Sequence, residues 1–299
     1  MLSAIAFVPE CDVVKAFETV KYFLLKHMLQ DILRIRSWDD HVEGGDDENQ
    51  CFDEQKSRKK YLDVLKRIIT VVAVRGCFLG SACGIGIIIS FLTPASYQIF
   101  GWYLVVLTFF HYSEYFTTAI GNPRTLSLDS YLLNHSISYG LAAITSWIEF
   151  FIERWLLPEM KTQWILSVLG IIVCLWGEIV RKSAMLTAKT NFNHIVQTKR
   201  EEGHELVTWG AYALFRHPSY VGWFWWSIGT QLILINPVCT LAYTIAAWSF
   251  FYERIYFEEM TLINFFGEKY LDYQKKVGTG LPFIKGYQSS TPVCIRGQH

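Results

Sequence analysis

The sequence is poor in charge. Only 18% of its 299 residues are charged, 52% are hydrophobic, and 27 basic residues balance 27 acidic ones. Soluble globular domains usually carry about a quarter of charged residues, so this composition favours a membrane protein. No basic run is long enough for a nucleic-acid-binding surface, and we expect no nucleic acid among the partners.

The sequence also has no CxxC pair. Its seven cysteines are scattered and odd in number, which predicts reduced thiols rather than a disulfide framework or a zinc site, and we expect no metal. The N-terminus does not have the ordered regions of a cleaved signal peptide, so none is expected. No βαβ pattern is present, and Gly84-Ile-Gly86 lies inside an apolar run, which excludes a Rossmann cofactor fold.

Apolar runs dominate the chain from residue 69 onward. Each can cross or nearly cross a hydrocarbon core of roughly 30 Å at about 1.5 Å per residue. They predict an all-α, polytopic membrane helical bundle of about six spans. The runs are 69–92, 97–119, 131–152, 163–181, 219–235 and 238–254. In the first run Gly76, Gly80 and Gly84 fall four apart, a spacing typical of close helix packing.

Composition divides the chain into four regions. Residues 1–68 combine an amphipathic helix over 1–36, an acidic flexible linker over Asp39–Glu54 and a basic juxtamembrane segment. Residues 69–181 are predicted to form a four-span membrane region. Residues 182–286 are predicted to be the catalytic region, with a helical hairpin turning at Asn236-Pro237 and a C-terminal helix. Residues 287–299 are a tail.

The basic residues predict the orientation of the bundle. Lysines and arginines precede the first run and follow the fourth and the sixth, whereas the opposite loops carry few. The positive-inside rule then places both termini and the polar block 182–216 in the cytosol.

Ionisable groups inside apolar runs are costly and therefore informative. His111 and Glu114 share a helix face in the second run, and we favour interhelical hydrogen bonding over metal binding for this pair. Glu178 and Arg181 close the fourth run. Arg181 either anchors to lipid headgroups or is a cation fixed inside the protein, where it could hold a carboxylate.

Two polar clusters lie at the predicted cytosolic face. In the first, Pro218 starts a membrane helix and presents His217 at its mouth, where free N–H groups favour polar or anionic groups. In the second, Arg254 and Glu258 share a helix face, and Glu259 is turned away from them by about 100°. A plain surface salt bridge is the alternative interpretation of Arg254 and Glu258.

At these residues the chain resembles the isoprenylcysteine carboxyl methyltransferase family. The resemblance runs from about Arg75 to Gly286 and includes His111–Tyr115 and Leu126–Ser130. Three motifs carry it: Asn191-Phe192-Asn193-His194, Arg216-His217-Pro218-Ser219-Tyr220-Val221-Gly222 and Gly280-Leu281-Pro282-Phe283-Ile284-Lys285-Gly286. The Arg-His-Pro part alone is shared with phospholipid methyltransferases and membrane sterol reductases.

The resemblance implies an integral enzyme of the endoplasmic reticulum membrane with a cytosolic-face cofactor pocket in its C-terminal half. It would methylate the C-terminal carboxylate of prenylated CAAX-type proteins with S-adenosylmethionine. Arg254 would meet the substrate, and Arg181 matches a family arginine implicated in activity. The residues that would hold the cofactor are Gln197, His204, Glu205, Leu206, Val207, Tyr212, His217, Pro218, Ser219, Tyr220 and Glu258. Vertebrate members of the family carry an additional pair of membrane helices where this chain has the amphipathic helix and the acidic linker.

Three alternatives remain at this point. An NADPH-dependent membrane sterol reductase shares part of the motif, but residues 182–216 have few basic groups for a 2′-phosphate. A phospholipid methyltransferase is close in mechanism and differs in substrate. A polytopic scaffold or channel is disfavoured because the polar groups gather at one membrane face instead of lining a path across the bilayer.

Overall fold

The computed structural model describes residues 48–133, 136–200 and 203–288, and within these ranges the regular structure is helical, without strands. The chain divides into two compact units, residues 1–71 and 72–299. Of the first unit, residues 48–71 are described, and they are helical. The amphipathic helix predicted over 1–36, the beginning of the acidic linker and residues 289–299 of the tail lie outside the described residues.

Seven α-helices account for most of the described chain. They are α1 Glu48–Leu92, α2 Ala95–Gly121, α3 Ile137–Leu156, α4 Trp164–Ala188, α5 Pro218–Leu234, α6 Pro237–Phe266 and α7 Glu268–Lys276. Short 3-10 turns connect several of them, including Leu128–Tyr131 before α3 and Gly210–Ala213 before α5.

Each of the first six helices overlaps one of the six apolar runs, although α1 and α6 extend well beyond theirs. Two helical stretches of the described chain, Leu62–Leu92 and Trp164–Asn191, are long and apolar enough by length and composition alone to cross a membrane. The all-helical architecture agrees with the predicted fold class, whereas the number of spans stays a prediction.

Two helix starts differ from the sequence prediction. α1 begins at Glu48, inside the segment predicted to be a flexible linker, because Glu48–Lys60 is rich in Glu, Gln, Lys and Arg and contains neither Gly nor Pro. α3 begins at Ile137 rather than at 131, because the Ser136 hydroxyl caps it by accepting a hydrogen bond from the Tyr139 N–H (3.1 Å).

Glycines allow a close helix contact between α4 and α5. A Cβ added to Gly222 would lie 2.4 Å from the carbonyl oxygen of Gly177, so the two backbones touch there. The close packing predicted at Gly76, Gly80 and Gly84 is wrong for the described residues, since a Cβ at any of the three would meet nothing within 4 Å. Glycine spacing shows where a neighbour could approach, but the partner surface decides whether it does.

A buried lysine closes the opposite end of the α5–α6 hairpin. The Lys161 ammonium donates to the carbonyls of Leu234 (2.9 Å) and Ile235 (3.0 Å) and pairs with Glu153 (2.7 Å). It thereby satisfies the C-terminal carbonyls of α5, which have no partner within the helix. The Glu149 carboxylate accepts from the first N–H groups of α6. Both sets of contacts stabilise the turn of the α5–α6 hairpin, whose other end carries the candidate site.

Candidate active site

One cavity lies between the start of α5, the last turns of α6, the helix α7 and the loop 191–217. Every residue predicted to bind the cofactor lines it: Gln197, His204, Glu205, Leu206, Val207, Tyr212, His217, Pro218, Ser219, Tyr220 and Glu258. The loop and the helix ends therefore bring residues that lie more than 60 positions apart around a single space.

The first turn of α5 presents His217 to this cavity. Pro218 is the first helical residue, and His217 is the N-cap, with its backbone N–H donating to the Thr279 carbonyl (3.4 Å). The imidazole lies parallel to the Tyr220 ring, with centroids 5.6 Å apart, and its Nε2 is 3.1 Å from Glu259 Oε1. The ring is thus held from two sides.

Glu259 is a buried carboxylate that connects the Arg-His-Pro motif to α6. It is 0% exposed and pairs with Arg216 Nε (2.7 Å) as well as with His217. Burial alone would raise its pKa. The contact with His217 and the Arg216 guanidinium together lower the pKa by more, so it lies below the usual value for a glutamate. The motif is therefore fixed by a charge-assisted pair rather than by packing alone.

The same carboxylate also fixes the C-terminal tail. Glu259 Oε2 accepts from the Tyr287 N–H (2.8 Å) and from Gln274 Nε2 (2.9 Å). Gly286 has φ +79°, and a Cβ there would lie 1.8 Å from Glu259 Oε2, so the tail can pass only as glycine. Arg216 Nη2 donates to the Lys285 carbonyl (2.8 Å).

Sequence reasoning missed the roles of Arg216 and Glu259. The helical period puts Glu259 on another face of the helix from Arg254 and Glu258, as observed, but the sequence does not identify Arg216 as its partner. Two adjacent glutamates just beyond the sixth apolar run were the available signal.

Arg254 and Glu258 do not form the surface salt bridge that was the alternative interpretation. The Tyr220 hydroxyl lies between them, donating to Glu258 Oε2 (2.5 Å) and accepting from Arg254 Nε (2.9 Å). Arg254 Nη2 donates to the His194 carbonyl (2.5 Å), and the guanidinium lies 5.8 Å from the Phe250 ring centre. Among the described residues Arg254 Nη1 has no hydrogen-bond partner, so one edge of the guanidinium is available to an anion.

Arg181 is in a different environment. It is 1% exposed, and Glu114 receives both its Nε (2.6 Å) and its Nη2 (2.8 Å) in a bidentate pair. Its Nη1 donates to the Ser219 hydroxyl (2.7 Å) at the first turn of α5. Arg181 is thus a cation fixed inside the protein rather than a headgroup anchor, and the carboxylate that it holds is the protein's own.

The predicted interhelical hydrogen bonding of His111 and Glu114 is confirmed. His111 Nδ1 lies 2.8 Å from the Tyr131 carbonyl oxygen, and Nε2 lies 3.2 Å from the Tyr139 hydroxyl of α3. Within the described ranges, no group of three His, Cys, Asp or Glu side chains could hold a metal ion.

The carboxylate and aromatic side chains that line the cavity suit a ligand that combines a positive charge with a planar ring system. The Glu258 carboxylate lines the cavity and is partly exposed, and the rings of Phe265 and Phe266 lie beside His204, with centroids 5.8 Å and 5.5 Å away. Carboxylates and aromatic faces both attract sulfonium-type cations. Burial and the nearby Glu258 carboxylate raise the pKa of Tyr212, which keeps its phenol neutral.

A second cavity, of ≈550 Å³, is lined almost wholly by apolar side chains of α1, α2, α4 and α5. Gly76 and Gly80 line it, so the missing side chains of the glycine stripe leave open space instead of a helix contact. Glu178 lines the cavity one turn before Arg181 on α4.

Long apolar helices and a pocket lined by carboxylates and aromatic rings at one end are typical of an integral membrane enzyme. Comparison with known proteins identifies the family within this class. Residues 168–264 match the model of the isoprenylcysteine carboxyl methyltransferase family. The chain belongs to this family.

Relatives support the assignment over most of the chain. Protein-S-isoprenylcysteine O-methyltransferase of Xenopus laevis is 60% identical over 215 residues, covering 72% of this chain and 74% of that protein. The Homo sapiens enzyme of the same name is 55% identical over 215 residues, covering 72% and 75%. A solved structure of the eukaryotic intramembrane Ras methyltransferase, an isoprenylcysteine carboxyl methyltransferase, superimposes with a TM-score of 0.73 and 44% identity over 91% of this chain and 99% of that one. The chain is therefore a membrane methyltransferase that uses a methyl donor, which decides against the sterol reductase and scaffold alternatives.

Proposed function

We propose that this chain transfers a methyl group from S-adenosylmethionine to the C-terminal carboxylate of an S-prenylated cysteine in CAAX-type proteins. The reaction takes place at the cytosolic face of the endoplasmic reticulum membrane. One observation carries the proposal: the residues that family resemblance implies for the cofactor all line one cavity, with Arg254 hydrogen-bonded to Tyr220 at its edge. Bound there, the donor would supply an electrophilic methyl group on a sulfonium.

The chemistry asks the protein for positioning rather than for a base. A C-terminal carboxylate with a pKa near 3.5 is ionised at neutral pH, so no proton need be removed. Carboxylate and sulfonium neutralise each other as the methyl group moves, so a pocket that excludes water favours the transfer. Holding the two partners in line can contribute about 7–11 kcal/mol in favourable cases.

Arg254 is the group that we assign to the substrate carboxylate. A guanidinium holds a carboxylate with two parallel hydrogen bonds, a geometry that lysine does not offer. Arg254 retains an unpaired Nη1, whereas the three nitrogens of Arg181 already meet Glu114 and Ser219. We propose that Arg181 supports activity by holding Ser219, which lines the cavity that we assign to the methyl donor (the donor cavity).

We assign the prenyl chain to the apolar cavity of ≈550 Å³. Removing a chain of 15 or 20 carbons from water gains about 0.8 kcal/mol per methylene. An apolar cavity reached from the lipid would bind the chain without exposing it to water. Trp226 lines this cavity, and it lies less than two turns from Tyr220 on α5. Residues of α5 would therefore lie near both the carboxylate end and the prenyl end of one bound substrate.

The test is methyl transfer from labelled S-adenosylmethionine to N-acetyl-farnesylcysteine by the purified protein in lipid. We expect saturable transfer, and none to the same compound with its carboxylate already esterified or to N-acetylcysteine without the prenyl group. Preference for phosphatidylethanolamine as acceptor, or saturable binding of NADPH without binding of S-adenosylmethionine, would overturn the proposal.

A further inference from the structure

Glu114 is a buried carboxylate with an unusual number of partners. It projects from α2, is 0% exposed, and receives Arg181 in the bidentate pair described above. Lys182 also donates to it, and His194 Nε2 lies 3.0 Å from its Oε2. One carboxylate on α2 therefore contacts α4 and the loop 192–196 together.

The His194 contact is not needed to hold α2 against α4. The Glu114–Arg181 pair already makes that connection with two short charge-assisted hydrogen bonds. What His194 adds is a fixed position for the loop, because its ring is held at one end by Glu114.

The backbone of the same residue holds Arg254. The His194 carbonyl accepts from Arg254 Nη2 (2.5 Å), and the Tyr220 hydroxyl accepts from Arg254 Nε (2.9 Å). These two acceptors fix the plane of the guanidinium and direct its unpaired Nη1. His194 does not itself line the donor cavity, although Asn193 and Ile195 on either side of it do.

We propose that Glu114 and His194 are positioning residues for the substrate arginine: Glu114 holds the His194 ring, and the His194 carbonyl then sets the direction of Arg254. This inference rests on the proposed function, because it takes Arg254 as the group that holds the substrate carboxylate. Neither residue contacts the reacting atoms.

The test compares His194→Ala with His194→Gln. Alanine removes the contact to Glu114 and leaves the Glu114–Arg181 pair intact. Glutamine carries an amide donor at a reach similar to that of Nε2 and can restore the contact. The matched control is Thr190→Ala, an exposed position in the same connecting segment whose side chain lies outside both cavities.

We expect His194→Ala to raise the KM for N-acetyl-farnesylcysteine by about tenfold or more, because small misplacements of a binding group carry large losses. The KM for S-adenosylmethionine should stay within about twofold, and the unfolding temperature should not move. The affinity for N-acetyl-farnesylcysteine measured without donor should fall in parallel. His194→Gln should recover most of both losses, and Thr190→Ala should match the wild type.

Glu114 is tested in a charge-balanced form. Glu114→Gln alone leaves two buried cations short of a carboxylate, so it is combined with Lys182→Met, which restores the net charge of the cluster. The pair also removes the charged partner of Arg181, so a rise of both KM values is expected. Adding His194→Ala should raise the KM for N-acetyl-farnesylcysteine no further, because Glu114 and His194 act through one connection.

Two failures are distinguishable. If the wild type does not methylate N-acetyl-farnesylcysteine, the proposed function fails. If the wild type is active and His194→Ala keeps wild-type substrate constants, or loses substrate and donor affinity equally, the positioning role fails while the function stands.

Discussion

At the scale of single residues, two arginines with the same charge are suited to different roles because their surroundings differ. Arg181 is 1% exposed, and each of its nitrogens has a partner within the protein. Arg254 is half-buried, is held by a hydroxyl and a carbonyl, and keeps Nη1 unpaired among the described residues. Only the second arrangement leaves a cation edge for an incoming carboxylate.

Arg254→Ala is therefore expected to abolish turnover on a prenylcysteine while the protein still inserts and binds S-adenosylmethionine. Arg254→Lys should also be poor, because an ammonium cannot hold a carboxylate bidentately. Steady-state kinetics on N-acetyl-farnesylcysteine measure both variants. Near-normal kcat/KM in Arg254→Ala would remove this residue from the mechanism, and full activity in Arg254→Lys would rule out bidentate binding.

The buried carboxylate Glu259 predicts a particular acid sensitivity. It lies beyond the sixth apolar run, and its pKa is lowered below 4.5 in the folded state. A lowered folded pKa contributes stability above the unfolded pKa, and that contribution is lost as the pH falls through the folded pKa. The unfolding temperature in detergent should therefore drop as the pH falls below about 4.5.

Glu259→Gln provides the comparison for this acid loss. The variant should be less stable at pH 7, because Arg216 loses its charged partner. Its unfolding temperature should also depend less on pH below pH 5 than that of the wild type. Parallel pH profiles for the two proteins would show that Glu259 is not the group responsible.

The first turn of α5 could be predicted from the sequence, because a proline-started helix with a polar cluster at its mouth is a local signal, whereas the other residues that line the cavity were implied by the family resemblance. The partners of Glu259 could not be predicted. Its hydrogen bonds to Gln274 and Tyr287 and its close approach to Gly286 depend on how the tail folds back over α6, and no local pattern in the sequence records that path.

At the scale of helices, the backbone contact between α4 and α5 positions the site. Gly177 and Gly222 let the helices touch, and the contact lies one turn from both Arg181 and Ser219. The six helices themselves were predictable from apolar length, whereas their starts at Glu48 and Ile137 depended on helix propensity and on a capping hydroxyl. Which glycines would find a neighbour depended on the whole packing.

Gly222→Ala is expected to lower both stability and activity. The new Cβ would lie 2.4 Å from Gly177 O and 2.7 Å from the Arg181 Cβ, so α5 must move away from α4. Overpacking of this kind typically costs about 1–3 kcal/mol. Gly84→Ala, where a Cβ meets nothing within 4 Å, is the matched control and should behave like the wild type in thermal unfolding. Equal stability of the two variants would contradict the described contact.

Substitutions of the α1 glycines test the proposed prenyl site. Gly80 lines the apolar cavity, and Gly84, one turn further, does not. Gly80→Leu should fill part of the cavity and raise the KM for N-acetyl-farnesylcysteine several-fold, with the KM for S-adenosylmethionine unchanged. Gly84→Leu should leave both constants unchanged. A wild-type substrate KM in Gly80→Leu would move the prenyl chain elsewhere.

At the scale of the second unit, polar groups gather near the two ends of its long helices, and apolar side chains cover their middle. The cluster of Glu114, Arg181 and Lys182 marks one end of α4, and the Lys161–Glu153 pair precedes its other end. Between them Ile148, Ile172 and Ile245 are more than half exposed. Such a surface is stable in hydrocarbon and would be a liability in water.

The positive-inside rule predicts which of these ends faces the cytosol, where a water-soluble methyl donor is available. α4 has 25 residues and rises about 37 Å at 1.5 Å per residue, enough to cross the bilayer. Thr190 follows it and Glu159 precedes it, and both are exposed. In sealed microsomes, whose outer surface is the cytosolic one, a membrane-impermeant maleimide should label Thr190→Cys at once and Glu159→Cys only after permeabilisation, each in a background without other cysteines. The reverse pattern would place the donor cavity in the lumen, out of reach of the cytosolic donor pool, and the proposed reaction could not run there.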